Sequence, residues 1–143
     1  MLPELRALSA RASIANVMAD YCHAFDGRDL SRFMSVWWED ACWNLTGAPA
    51  NSIVGHQQIE DTYYNAIRGT WKSSSHATCN MHIRFEADDV AHVESTILVV
   101  GFDYTGKFKA IGAIYRDQFV ERSGIWKLVR RDVVRNVQFE TDK

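Results

Sequence analysis

The chain has 143 residues, the size of one domain, and is long enough to bury a substantial core. Apolar residues make up 47% and charged residues 24%, with a net charge of −2 and no basic stripe, a balance that suits a globular rather than a disordered protein and argues against a nucleic-acid partner. The longest apolar runs, such as ILVVGF at 97–102, are too short to span a bilayer, and the N-terminal MLPELRALSA lacks the apolar region of a signal peptide, so the expected location is cytoplasmic.

In chain order, the first strong pattern runs over 9–25. Ile14, Val17, Met18, Tyr21, Cys22 and Phe25 recur at steps of three and four, which predicts an amphipathic helix with one apolar stripe. Ser9 is positioned to cap its start, and Gly27 suits the left-handed residue just past its end. A short second helix is expected from about Asp29, with Leu30, Phe33, Met34 and Trp37 on one face. ACWNL then reads as a short strand, and TGAPANSIVG as a loop with a proline and two glycines. Gly55 leads into a third helix, HQQIEDTYYNAIRGTW, in which Ile59, Tyr63, Ile67 and Trp71 fall at four-residue steps.

From Ser73 onward the period changes. Segments 76–86, 89–102, 107–121 and 125–138 are rich in Val, Ile, Phe, Tyr and Thr, and short turns at Ala87-Asp88-Asp89, Tyr104-Thr105-Gly106 and Arg122-Ser123-Gly124 separate them. Turns this short require antiparallel neighbours. Helices followed by a meander predict an α+β layout in a single domain over 1–143, with a strongly curved sheet and a pocket between it and the helices.

Candidate chemistry centres on few residues. Asp26 falls at the flank of the first helix's apolar stripe, and spacing alone favours a solvated residue in an Asp-Gly turn. Against that stands electrostatics: a carboxylate at a helix C-terminus meets the negative end of the dipole, at a cost of a few tenths of a kcal/mol or more. In SSSHATCNMHIRF, alternation places Ala77, Cys79, Met81, Ile83 and Phe85 on one face and His76, Thr78, Asn80, His82 and Arg84 on the other. His76 and His82 are about 20 Å apart along a strand, too far to share a metal, and no HxH or HExxH pattern exists, so no metal site is expected. Cys22, Cys42 and Cys79 have no ligand spacing and read as reduced core thiols. There is no nucleophile elbow, and no dinucleotide or phosphate loop, so no cofactor is expected. One carboxylate, one histidine and an aromatic-rich cavity suit proton transfer, because a carboxylate on one imidazole nitrogen fixes the tautomer and raises the basicity of the other. Arg131 alternates with Val129 and Val133 in an inward-leaning pattern.

Asp26 at the end of the first long helix, VWWEDACW (36–43), GHQQI, SSHATCN and GIWKLVRRD together resemble the nuclear transport factor 2-like superfamily of cone-shaped α+β barrels. Within it the chain is most similar to the SnoaL-like branch containing scytalone dehydratase and hexachlorocyclohexane dehydrochlorinase. The resemblance implies a dehydratase-type lyase in which His76 moves a proton and Asp26 orients the imidazole, with Arg131 as a third catalytic group. It also implies substrate-binding positions at Tyr21, Trp43, Ile67, Trp71, Thr96 and Leu98. The implied partner is a small, largely apolar, cyclic or aromatic substrate, and the implied assembly a homodimer or homotrimer. An isomerase or polyketide cyclase, or a non-catalytic binder such as a dioxygenase small subunit, shares the same fold. Tyr21 stands where the dehydrochlorinase has a lysine, and Phe25 where scytalone dehydratase has a tyrosine. A hydroxyl at Tyr21 suits dehydration or enolisation better than halide release.

Overall fold

The computed structural model describes residues 2–45 and 52–141. The first helix, α1, runs Pro3–Gly27, starting two turns earlier than the apolar stripe implies. Proline's fixed φ suits a first helical turn, where its missing N–H removes no bond. Ser9 therefore lies inside the helix and caps nothing. The left-handed residue at the far end is Arg28 (φ 60°), not Gly27. Its side chain compensates, donating to the Phe25 carbonyl at 3.0 Å and the Trp71 carbonyl at 2.7 Å, which ties the end of α1 to the segment leading into the sheet.

The second helix, α2, is Leu30–Ser35, and the Asp29 carboxylate accepts from the Arg32 amide at 3.0 Å to cap it. Trp37, expected on this helix, instead opens β1, Trp37–Asn44, so the strand is longer than ACWNL. Its two inward tryptophans, Trp37 and Trp43, pack with ring centroids 5.4 Å apart beside Phe33. The predicted loop contains a further short strand, β2, Ser52–Val54, antiparallel to β1. The part of that loop at 46–51 lies outside the described residues. Helix α3 spans Gly55–Asn65 and continues as a π-helical turn, Ala66–Thr70, whose wider spiral ends with Trp71 buried.

The long strands are β3, Ser73–Ala87; β4, Val90–Phe102; β5, Phe108–Arg122; and β6, Ile125–Glu140. They form one six-stranded open sheet in the order β2-β1-β6-β5-β4-β3, antiparallel except for the β1–β6 pair. The sheet curves around α1, and its inner face carries Ala91, Val93, Ile97, Val99, Phe119 and Leu128 against Ile14, Met18 and Phe33 of the helices. A fully buried Phe33 or Leu128 contributes about 1.5–3 kcal/mol through the water it leaves.

Several register shifts interrupt the simple alternation, and two of them decide which side chains face the helices. Asn80 has φ 53°, and the β3–β4 register jumps between Cys79 and His82. An extra residue flips which side chains face inward. Ser74, His76 and Thr78 face the helices before the bulge, and Ile83 and Phe85 after it, so the expected single face from Ala77 to Phe85 is two half-faces. Cys79 is consequently exposed rather than core, while Cys22 is buried and Cys42 is partly buried. In β6 the pairing passes from Phe119–Leu128 to Gln118–Arg130, leaving Val129 as the extra residue and placing both Leu128 and Arg131 inward. No helix among the described residues is long and apolar enough to cross a membrane.

Candidate active site

Asp26 sits one residue before the end of α1, and His76 lies on the inward face of β3 just before its bulge. Their side chains meet: His76 Nδ1 lies 2.6 Å from Asp26 Oδ1. The same carboxylate accepts the Ser74 hydroxyl on Oδ1 at 2.8 Å and the His76 backbone amide on Oδ2 at 2.7 Å. Residues 74 and 76 share a face because a strand repeats every two residues, so one short strand segment supplies all three donors. Burial pushes the Asp26 carboxyl up, but the bonds from His76 and Ser74 and the charge of the imidazole outweigh it, and the group lies below the ordinary aspartate value. The same donors offset the unfavourable dipole at the end of α1.

With Asp26 ionised, Nδ1 is the donor in that bond, which leaves Nε2 free to accept a proton. Two aromatic rings also pack against the imidazole. Phe25 packs at 4.9 Å between centroids and Tyr21 at 6.2 Å, both edge-on. The His76 side chain is only 6% exposed.

His76 forms one wall of a cavity of about 280 Å³ between α1, α3 and the inner face of the sheet. Of the expected binding positions, Tyr21, Trp43 and Trp71 line it. Ile67 does not; its neighbours Ala66 and Thr70 on the π turn do. Thr96 and Leu98 also fall outside the lining, and Leu98 is 48% exposed. They occupy the outward positions of β4, and Ile97 and Val99 point into the cavity in their place. Among the described residues, the lining also includes Phe25, Tyr115, Thr62, Asn65 and Arg135, which the sequence reading missed.

Arg131 is fully buried and lies beneath this cavity rather than in its lining. Its Nε and one terminal nitrogen each donate to the Asp117 carboxylate at 2.8 Å. Its guanidinium carbon lies 4.2 Å from the Tyr21 ring centre and 4.0 Å from that of Tyr115. Burial alone would lower the Arg131 pKa; the Asp117 charge more than reverses this, so the guanidinium stays charged. Burial raises the Tyr21 hydroxyl above its usual value despite the pull of Arg131, and Tyr21 is a protonated donor at neutral pH. Asp117 and Tyr115 sit two apart on β5, a same-face spacing visible in IYRDQF, opposite the inward arginine of the next strand. That opposed pair was the available signal for the buried ion pair.

No group of His, Cys, Asp or Glu among the described residues is arranged to hold a metal ion. None of the other four histidines lines the cavity.

A sequence model of the SnoaL-like domain matches residues 6–132. Gamma-hexachlorocyclohexane dehydrochlorinase of Sphingobium indicum is 26% identical over 136 residues, which cover 94% of this chain and 86% of that protein. A crystal structure of a type 2 hexachlorocyclohexane dehydrochlorinase superposes with a TM-score of 0.89 at 23% identity, over 97% of this chain and 93% of the other. A Novosphingobium aromaticivorans structure provisionally named scytalone dehydratase gives 0.87 at 21% identity, over 96% and 91%. Those two superpositions show the fold, the cone-shaped α+β architecture expected above.

Proposed function

The chain belongs to the SnoaL-like domain family, and from that premise we propose that it is an elimination lyase whose Asp26–His76 pair moves a proton on a small, largely apolar ring. The observation that carries this reading is the 2.6 Å contact of His76 Nδ1 with a charge-stabilised carboxylate, on the wall of an aromatic-lined cavity. Dehydrochlorinases are among the curated relatives, so carbon–halide elimination is the reaction their names carry.

In the proposed step, His76 Nε2 takes a proton from a ring carbon. The C–H electron pair becomes the new double bond, and the leaving oxygen or halide on the adjacent carbon departs with its own bonding pair. Departure as water requires a proton, which the imidazolium returns. Asp26 holds the ring nitrogen and stabilises the imidazolium. Tyr21 donates a hydrogen bond to the leaving hydroxyl or to a neighbouring carbonyl. Arg131 acts through Tyr21, as a fixed positive charge beneath its ring, and does not touch substrate.

A second reading, an isomerase or cyclase, draws on one observation. The rings of Tyr21 and Tyr115 pack with centroids 6.0 Å apart and both line the cavity, and burial keeps both hydroxyls protonated. Two such donors suit an enolate oxygen. Product analysis separates the readings, because only a lyase releases water or halide.

The test is a panel of cyclic β-hydroxyketones, halocyclohexanes and ring enones, with turnover measured for the wild type, His76→Ala and Asp26→Asn. On any substrate turned over, His76→Ala is expected to lose about 10²–10⁴-fold or more in kcat, and Asp26→Asn a comparable amount through the wrong tautomer. Near-normal turnover by His76→Ala sinks the proposal.

A further inference from the structure

The elimination chemistry leaves one charged side chain of the cavity unused. Arg135 lies on β6 two residues beyond Val133 and pairs across with Ala113 of β5. Val133, Ala113 and Arg135 all line the cavity, so the arginine continues an inward-facing row up to the mouth, where it becomes exposed. Arg122, Arg130 and Arg131 each sit on a carboxylate. Arg135 takes part in none of the ion pairs among the described residues.

The rest of the lining makes that charge selective. Among the described residues no Asp or Glu faces the cavity, and the Asp26 carboxylate is held behind the imidazole with both oxygens occupied. On the α3 side stand neutral hydrogen-bonding groups, Thr62 and Asn65, with Thr70 beyond them. The apolar part of the lining includes Trp43, Trp71, Ile97 and Val99. Among the described residues, an entering molecule therefore meets a largely apolar interior, a proton-transfer group on one wall, and one arginine of the lining at the rim. His76 on β3 and Arg135 on β6 stand three strand spacings and two residues of register apart, about 16 Å across the concave face of the sheet.

We propose that Arg135 is the specificity determinant of this site and that the substrate is a ring-bearing carboxylic acid, ring inward against Trp43 and Trp71 and carboxylate on the Arg135 guanidinium. The proposal rests on the reading of the cavity as the active site and adds the substrate class. A guanidinium presents a planar fork that matches a carboxylate with two parallel bonds, whereas an amide of the same shape offers one acceptor oxygen and no charge. At the rim of a cavity that excludes water from the ring, the difference amounts to about tenfold in affinity at low salt.

The test uses trans-cinnamate and trans-cinnamamide, which share size and shape and differ in charge. Each is titrated into the full chain at pH 8 and low ionic strength, with quenching of tryptophan fluorescence as the readout. The wild type is expected to bind cinnamate about tenfold more tightly than the amide, with the preference fading as salt rises. Arg135→Gln and Arg135→Ala should lose the preference by weakening cinnamate alone, and Arg135→Lys should keep part of it. Arg116→Gln, which removes an exposed arginine of β5 outside the cavity lining, should retain it, which separates the rim cation from the overall charge of the chain. A wild type that binds neither probe, or both equally, overturns the proposal. So does a preference that survives in Arg135→Ala or vanishes in Arg116→Gln. Binding is the readout here and turnover is the readout for the dyad, so either reading can fail while the other stands.

Discussion

Removing Arg131 should cost stability before it costs chemistry. Its side chain and that of Asp117 are both 0% exposed, and two 2.8 Å bonds join them. Removing one member leaves the other as an uncompensated charge in a dry interior, at a cost of about 3–5 kcal/mol. Arg131→Met also forfeits the stacking of the guanidinium on Tyr21 and Tyr115. For a chain of this size each kcal/mol lowers Tm by about 3 °C, so a fall of roughly 10–15 °C is expected. Asp117→Asn, with almost the same shape, should fall comparably. The double variant Arg131→Met/Asp117→Leu leaves no charge behind and should recover much of the loss. Urea unfolding followed by circular dichroism gives the midpoint and slope, with kcat/KM measured on the same samples. If Arg131→Met unfolds within about 1 kcal/mol of wild type yet loses activity, the guanidinium works on substrate and the structural reading is refuted.

Acid sensitivity follows from carboxylates whose native pKa is depressed. Asp26 lies below its ordinary value, so its contribution to stability is complete above the unfolded pKa, about 3.9, and is lost as pH falls through the lower native value. Asp103 extends that loss further, because the Thr105 hydroxyl, with backbone amides of its own turn, outweighs its desolvation and holds it to about 2. Tm should therefore be flat from about pH 7 to 5 and fall below about pH 4, less steeply in Asp26→Asn; an unchanged acid slope in that variant contradicts the assignment. At Gly101, an added Cβ would lie 2.0 Å from the Ser73 carbonyl oxygen, inside the backbone of the strand that carries Ser74 and His76. Gly101→Ala should prise that strand end open, costing about 1–3 kcal/mol and lowering activity together; a variant as stable as wild type would show that β3 does not run there.

The helices and the meander were legible because their signals are local. A stripe at steps of three and four identifies α1, and β-branched runs between short turns identify β3 to β6 to within about three residues. Side-chain direction was not legible, because each bulge reverses the count. Asn80 adopts a positive φ, which asparagine tolerates better than most residues, but nothing in TCNMH marks it as the extra residue. At Thr96 and Leu98 the error was one of parity alone: the inward positions are Ile97 and Val99, and a shift of one residue moves a whole row to the other face. Arg131 faces inward for a different reason than simple alternation, since Val129 is the inserted residue between it and Leu128.

Asp26 and His76 stand 50 positions apart, beyond any local pattern, and what brings them together is the way α1 stops. An ordinary glycine stop at Gly27 would end the helix without anchoring it. Here the left-handed turn falls on Arg28, whose guanidinium reaches the Trp71 carbonyl at 2.7 Å, directly before the chain turns into β3 at Ser73. That bond fixes the end of the helix against the start of the strand. From there the two-residue repeat of β3 delivers Ser74 and His76 to one face, and their donors saturate a carboxylate placed against the helix dipole. The helix pays for that placement only because the strand answers it. The residue type that ends α1 is therefore part of what positions the dyad, although Arg28 makes no contact with Asp26 in its hydrogen-bonding network.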